Sequence, residues 1–437
     1  MKRWKWSVVC LALLGYSATP PAMADIQYAG VNLSGAEFGE TTLPGTFNST
    51  YTWPTAAEIT YYKSKGMNFI RLPFRWERLQ HTNHAVLDAT ELNRMNTFVT
   101  NATRQGLFVL LDPHNFMRYY PNPRSQTQNA TNGLVGSSVP NSDFSNFWYQ
   151  IAAVYRTNDH VFFGLNNEPA NMPEAQLVDA ENAGIAGIRA AGATNTIYVP
   201  GNRWTGAWTW LDSDLNGDAN AVAMMGIVDP GSNFVFEVHQ YLDYDGSGSH
   251  TNIGWTPTTS DPDVGWERLT NFTAWARANN VKGFLGEFAV ANSTIGSDPT
   301  QIGGAALTNM LGYIQTNSDY WLGWAWWGGG PWWGSYMFTI EPSNIGQPSQ
   351  ADQSVMGVVK HFFPIPVPAL QLVNGNSIQY GTAQGFIYQV QVSPDVSPGS
   401  WSNVGSSFAG SGGVSSIGIA PAAGTNGFYR VQVSHAP

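Results

Sequence analysis

An α/β fold, a closed (β/α)8 barrel of the TIM type carrying a small C-terminal all-β module, is what this sequence predicts, and three observations predict it. Eight short runs rich in β-branched, aromatic and aliphatic residues recur at 28–33, 68–74, 107–114, 161–167, 196–201, 234–241, 282–288 and 320–327. Amphipathic stretches of helical spacing lie between most of them, at 56–65, 89–105, 144–156, 175–191, 266–279 and 302–316. Strand alternating with helix eight times is the pattern of a closed parallel barrel, with a doubly wound open sheet as the structural alternative. Third, polar residues of catalytic type fall at the carboxyl ends of the runs, the face on which barrel proteins build their sites.

Four segments follow in chain order. Residues 1–24 begin Met-Lys-Arg-Trp-Lys, run through an apolar stretch at 8–14 and end on Ala22-Met23-Ala24. A charged start, a short hydrophobic core and a small-residue cleavage site predict an export signal cut after Ala24, and hence a secreted protein, extracellular or periplasmic. The apolar stretch falls short of the ~20 residues that cross a bilayer. Residues 25–363 are assigned to the barrel, which needs roughly 250 residues or more. Pro364-Ile365-Pro366-Val367-Pro368 reads as a stiff connector. Residues 369–437 are Gly/Ser-rich with short alternating runs at 386–392 and 427–433, the signature of a small antiparallel module. Its Trp401, Tyr388 and Tyr429 form either its core or a sugar-binding face, with core the favoured reading.

Charge and cysteine usage exclude several classes of partner. The formal net charge of −10 becomes −13 once Lys2, Arg3 and Lys5 leave with the signal, which argues against nucleic acid and anionic lipid. Cys10, the single cysteine, lies inside the signal, so the mature chain has no disulfide and no thiol chemistry. The 18 tryptophans against 11% charged residues suit stacking on sugar rings, although about half should be core.

The candidate site assembles from the strand ends. Arg71 ends the second run, His114 the third, Asn167-Glu168-Pro169 the fourth, His239 and Tyr241 the sixth, Glu287 the seventh and Trp327 the eighth. Strands four and seven face each other across a barrel, so Glu168 and Glu287 can aim two carboxyls into one cleft. A glycosidic acetal breaks through an oxocarbenium-like state, which requires an acid at the leaving oxygen and a carboxylate on the opposite face of the anomeric carbon. A separation of about 5 Å lets the carboxylate attack directly with retention, whereas roughly 6.5 to 9.5 Å admits a water and inverts.

The segments Gly35-Ala36-Glu37-Phe38-Gly39, Leu165-Asn166-Asn167-Glu168-Pro169, His239-Gln240-Tyr241-Leu242-Asp243 and Gly286-Glu287-Phe288 resemble those of glycoside hydrolase family 5 in clan A, most of all its bacterial and fungal endo-β-1,4-glucanases. The resemblance spans roughly residues 26–363. It implies a retaining mechanism with Glu168 as acid/base and Glu287 as nucleophile. In that frame Arg71 and Tyr241 hydrogen-bond Glu287 and keep its pKa low, and Asn167 binds the sugar 2-hydroxyl. His114 and His239 line the same subsite, and Trp327 stacks under the reacting ring, with Trp326 as the alternative ring. Glu168 has to hold a proton until Glu287 is consumed, which desolvation and the negative charge of Glu287 favour.

The implied substrate is a polysaccharide, cellulose or β-glucan, with Glu37, Asp243 and Trp204, Trp208, Trp210, Trp332 and Trp333 as candidates for lining a long cleft. β-Mannan is the nearest competing substrate, a transglycosylase shares the covalent intermediate, and a non-catalytic carbohydrate-binding barrel is the alternative from another class. No cofactor or metal is called for, and a monomer is expected. Asp212-Ser-Asp214-Leu-Asn216-Gly217-Asp218-Ala-Asn220 carries oxygen ligands around a glycine like the start of a calcium loop, but Ala223 occupies the place of the closing glutamate. Asn48, Asn101, Asn129, Asn271 and Asn292 begin glycosylation sequons.

Overall fold

A computed structural model describes residues 25–120, 133–213, 217–298, 300–374, 376–419 and 427–436. Residues 1–24, with Cys10, and Asn129, Asp214 and Asn216 therefore lie outside the described residues. Eight parallel strands close into a barrel in the order of the sequence. They are β1 (Tyr28–Leu33), β2 (Phe69–Phe74), β3 (Phe108–Pro113), β4 (Val161–Gly164), β5 (Ile197–Pro200), β6 (Phe234–His239), β7 (Gly283–Glu287) and β8 (Trp321–Gly329). The helices that follow them are α1 (Ala56–Lys65), α2 (Ala89–Arg104), α3 (Asn141–Tyr155), α4 (Glu174–Ala190), the one-turn α5 (Asn220–Ala223), α6 (Val264–Asn279), α7 (Ile302–Thr316) and α8 (Ser354–Val359). The open doubly wound sheet is thereby excluded.

Side-chain alternation along the strands sorts the barrel into layers. Phe69, Leu110, Phe162, Tyr198, Val235, Phe284 and Leu322 form a plug inside the barrel, cut off from the larger core outside it. Phe69 and Phe284 meet across it at 4.7 Å. Two residues further along the same strands the inward positions are Arg71, Asp112 and Glu237, and two further still are His114 and His239. An apolar plug thus carries a charged layer, and that layer carries the rim. The intervening residues, including Ile70, Leu72, Val109, Leu111, Phe163, Val199, Phe236 and Leu285, face outward into the main core beneath the helices. Burial of each such side chain contributes about 1.5–3 kcal/mol.

Local signals explain where the helices begin and end. Thr55 caps α1 and Glu58 returns the bond to the Thr55 backbone, a capping box. Gly66 closes the same helix at φ 109°, in the left-handed region that glycine enters without strain. That glycine has a second role, because a Cβ there would lie 2.7 Å from the Phe386 ring of the C-terminal module.

The module contains two antiparallel sheets. One has the order β14 (Val414–Gly418), β10 (Ser377–Gly381), β9 (Gln371–Val373). In the other, β11 (Phe386–Ser393) pairs with β12 (Ser402–Asn403), β13 (Phe408–Ala409) and β15 (Phe428–His435). Tyr388 and Tyr429 are buried, as core residues should be, and join a hydrophobic cluster continuous with that of the barrel. Trp401 is half-buried beneath the Arg430 guanidinium at 4.2 Å. The connector is tied down too, since the Ile365 N–H donates to Asp25 Oδ2 at 2.8 Å. Gln384 N–H donates to Ser64 O at 2.9 Å, and Lys65 Nζ donates to Gln384 Oε1 at 2.9 Å. Because α1 runs from the carboxyl end of β1 back to the start of β2, this docking lies on the barrel face opposite the rim. Removing residues 369–437 uncovers the Phe386 contact, worth about 2–3 kcal/mol. The melting temperature should fall by roughly 3–4 °C; an unchanged melting curve would show that the contact contributes nothing.

Of the sequon residues, Asn292 is unavailable, because its amide donates to Thr339 O at 2.7 Å and its Oδ1 accepts from the Val355 N–H. Asn220, the last ligand of the calcium-like segment, exchanges two hydrogen bonds with the Asn202 backbone.

Candidate active site

Arg71 organises the rim. Buried on β2, its guanidinium donates to Glu237 Oε1 at 2.7 Å, Asn32 Oδ1 at 2.9 Å, Glu287 Oε1 at 2.9 Å and Asn167 Oδ1 at 2.8 Å. It also faces Asp112 Oδ2 at 3.1 Å. Asn32 in turn donates to the carbonyl of Gly286 at 2.8 Å, which ties β1 to β7 beneath Glu287. Gly286 is required by this layer, since a Cβ there would lie 2.2 Å from Glu237 Oε1.

The sequence places Glu168 and Glu287 together and the structure does the same. A carboxylate oxygen of each lies within 4.8 Å of the other and of a His239 ring nitrogen. Their surroundings differ. Glu287 closes β7, its side chain is 4% exposed, and its Oε2 accepts from the Tyr241 hydroxyl at 2.8 Å. Glu168 stands four residues beyond the end of β4, 16% exposed, so it is the more open of the two. Its backbone is left-handed at φ 43°, an unfavourable conformation for a glutamate and one of the kind that clusters at functional sites. A register shift between β6 and β7 at Val238/His239 brings His239 level with Glu287.

His239 sits among three carboxylates. One ring nitrogen meets Glu168 Oε1 at 2.8 Å and lies 3.7 Å from Glu287; the other meets Glu237 Oε1 at 3.2 Å. Burial opposes a charged ring, but Glu287, Glu168 and Glu237 together push its pKa up to about 10, so it is an imidazolium donating from both nitrogens. His114 is the reverse: burial, with Arg75 and Arg71 nearby, drives its pKa well down, and the ring is neutral. Its Nδ1 is 2.9 Å from Asp112 and its Nε2 is 3.2 Å from Asn167 Nδ2. With Nδ1 protonated, Nε2 accepts from Asn167, which fixes that amide with its oxygen on Arg71 and its nitrogen on His114. Asp112, also buried, is pushed up to about 7 against the opposing charge of Arg71.

One expectation needs correction. Arg71 and Tyr241 do hydrogen-bond Glu287, but they do not hold its pKa low. Burial raises it first, the adjacent Glu168 adds to that, and His239, Arg71 and Tyr241 only partly offset the rise. Tyr241→Phe removes one of the groups favouring the anion. The Glu287 pKa should therefore rise further, moving the acid limb of kcat/KM to higher pH and costing more activity at pH 5 than at pH 7. A uniform loss across pH would show that Tyr241 does not govern this ionisation.

The aromatic candidates divide. Trp327 is half-buried and stacks on His114 at 5.4 Å, whereas Trp326 is fully buried with its N–H on Phe338 O, so Trp327 is the ring at the site. Trp210 is core, packed on Phe236, Phe272 and Trp275, and not a cleft residue. Trp333 is half-buried and stacks on Tyr336, while Trp332 and Trp204 are exposed. Arg203, Trp204 and Thr205 are all left-handed, at φ 56°, 55° and 51°. The turn is held by Trp204 N–H on Pro169 O and by the Thr205 hydroxyl, which accepts from Gly201 N–H and donates to Glu237 O. It ties the Trp204 backbone to Pro169, the residue after Glu168. Asp243 does not line a cleft; its buried carboxylate accepts backbone N–H bonds from Gly248, Ser249 and His250 and braces their loop. Glu37 supports the first loop, buried, with Oε2 accepting from Gly35 N–H at 2.8 Å; Arg75 ties the Glu37 and His114 carbonyls together.

A (β/α)8 barrel with two facing carboxylates, one just beyond strand four and one ending strand seven, set over a buried arginine, defines a glycoside hydrolase. Residues 26–330 match the family model for cellulase (glycosyl hydrolase family 5). A probable endo-β-1,4-glucanase B of Aspergillus niger is 39% identical over 317 residues, 72% of this chain and 85% of its own. Endo-β-1,4-glucanase A of Emericella nidulans is 38% identical, covering 74% of this chain and 90% of its own. Among solved structures, XacCel5A in complex with cellopentaose aligns with a TM-score of 0.67 at 38% identity, covering 77% of this chain and 99% of that one. An endo-β-1,4-glucanase of Xanthomonas axonopodis pv. citri aligns with a TM-score of 0.68 at 38% identity, covering 77% and 98%. The chain belongs to glycosyl hydrolase family 5.

Proposed function

We propose that this protein is a secreted retaining endo-β-1,4-glucanase that cuts cellulose or β-glucan internally by double displacement. The separation of the two carboxylates, within 4.8 Å, carries the reading. It suits direct attack and leaves no room for a water between carboxylate and anomeric carbon. Glu287, held by Arg71 and Tyr241, attacks that carbon as Glu168 gives its proton to the departing glycosidic oxygen, forming a glycosyl ester. Glu168, now an anion, takes a proton from water, whose oxygen displaces the Glu287 carboxylate. Two inversions retain the β configuration. Asn167, with its oxygen fixed by Arg71, is positioned to donate to the 2-hydroxyl, and Trp327 on His114 supplies the platform for the reacting ring. The β-1,4-glucan assignment is supported by the relatives named as endo-β-1,4-glucanases and by the neighbour solved with cellopentaose.

The test is NMR and chromatographic analysis of products from carboxymethylcellulose, mixed-linkage β-glucan and β-mannan. Internal cleavage of the glucans with β-anomers appearing first is the expected result. Cleavage of mannan alone would keep the chemistry and replace the substrate. Turnover of none of the three would leave a binding protein.

A further inference from the structure

We propose that Trp255, backed by Trp208 and Arg268, forms a distant stacking subsite for the leaving-group end of the glucan chain. This rests on the reading of Glu168 and Glu287 as the cleaving pair. Trp255 lies in the loop between β6 and α6 and is 39% exposed. An exposed tryptophan is ordinarily free to change rotamer, but this one is held from three directions. Its Nε1 donates to Glu267 Oε2 at 3.0 Å. Its ring meets Trp208 edge-on, with centroids 5.3 Å apart and planes at 76°. The Arg268 guanidinium lies 4.8 Å from its ring and 4.5 Å from that of Trp208.

Arg268 is itself immobile. It is buried and donates to the carbonyls of Tyr241 at 2.7 Å and Asp243 at 2.8 Å. The Trp208 backbone N–H donates to Gln240 Oε1 at 2.8 Å, and Ala207 N–H donates to His239 O at 3.0 Å. The pair is therefore in fixed register with His239 and Tyr241, the strand end that also serves the carboxylates. A ring oriented in advance loses little side-chain entropy when a sugar stacks on it, which is how rigidity becomes affinity.

Direction follows from the order of the strands. The groups assigned to the reacting ring, Arg71, His114 and Trp327, stand on β2, β3 and β8. The loops after β5 and β6 lie the other way round the barrel, so a chain leaving the Trp327 side and passing the carboxylates arrives at Trp208 and Trp255. The surroundings fit a sugar rather than a protein partner: Trp255 is bonded to Glu267, and the next residue along the chain, Thr256, hydrogen-bonds Thr259, so polar side chains border the ring.

The experiment compares kcat/KM on cellohexaose with that on dinitrophenyl β-cellobioside, whose compact leaving group ends close to the carboxylates, for the wild type, Trp255→Ala and Trp255→Phe. In Trp255→Ala the hexaose-to-aryl ratio should fall about tenfold, and in Trp255→Phe, which keeps a stacking face, it should stay within threefold of wild type. A ratio in Trp255→Ala within twofold of wild type would overturn the subsite, including when a folding defect lowers both rates together. A wild-type enzyme that cleaves neither substrate would instead remove the reading of the carboxylate pair, and the subsite with it.

Discussion

Glu287→Gln should lower glucan hydrolysis by about 10⁵-fold, a loss of ~7 kcal/mol in transition-state stabilisation, while oligosaccharide binding stays within a few-fold of wild type. The amide matches the carboxylate in shape. Its oxygen can accept from Arg71 as Oε1 does now, and its NH2 can donate to the Tyr241 oxygen in place of the present bond. Arg71 keeps Asp112 and Glu237 as ionic partners, so no buried charge is stranded and the variant should fold. What disappears is the nucleophile, and with it the glycosyl ester. A second consequence follows at His239. Glu287 is foremost among the groups holding its pKa up to about 10, so in the variant the ring should titrate at lower pH, measurable by NMR of the imidazole. Turnover above about 1% of wild type would remove Glu287 from the nucleophile's role.

The strands and helices were largely legible because their periodicity survives in the sequence: β1, α1 and α7 fall at 28–33, 56–65 and 302–316, as read. The rim was legible where chemistry coincides with a strand end. Glu168 was found through its Asn-Glu-Pro motif, although β4 stops at Gly164 and a left-handed glutamate, not a strand, presents the side chain. The layer beneath was missed. Asn32, Asp112 and Glu237 sit in mid-strand among apolar neighbours, and each is buried. A usable signal was present, because Asp112 and His114, like Glu237 and His239, are two residues apart and so share a face. Charged residues at those positions cannot be tolerated in a barrel interior unless a partner such as Arg71 satisfies them. The sign of the Glu287 shift was not legible at all. It depends on how far burial outweighs three favourable neighbours, a balance of distances and exposure that no motif carries. The docking of the module was hidden for a similar reason: Gly66 and Phe386 are 320 positions apart, and the fit of a ring over a glycine has no periodic signature.

Glu168→Ala should divide substrates by their leaving groups. Cleavage of β-glucan needs a proton at a poor leaving oxygen and should fall about 10²–10⁴-fold, the range for loss of a positioned general acid. A dinitrophenolate departs unaided, so the first step on dinitrophenyl β-cellobioside should be spared. The glycosyl ester on Glu287 should then accumulate, because no base remains to activate water, and a burst of dinitrophenolate should precede a slow steady state. Removing this side chain leaves space beside His239, whose Nδ1 loses its 2.8 Å partner. A small anion that needs no deprotonation suits that space and that cation. Azide should therefore speed the steady state and give a glycosyl azide of β configuration. Detecting that product by NMR would place Glu168 at both steps, on the face where the leaving group departs and water arrives. Equal loss on glucan and on the dinitrophenyl glycoside, with no response to azide, would instead make Glu168 a support for His239 and leave the proton donor to be sought elsewhere on the rim.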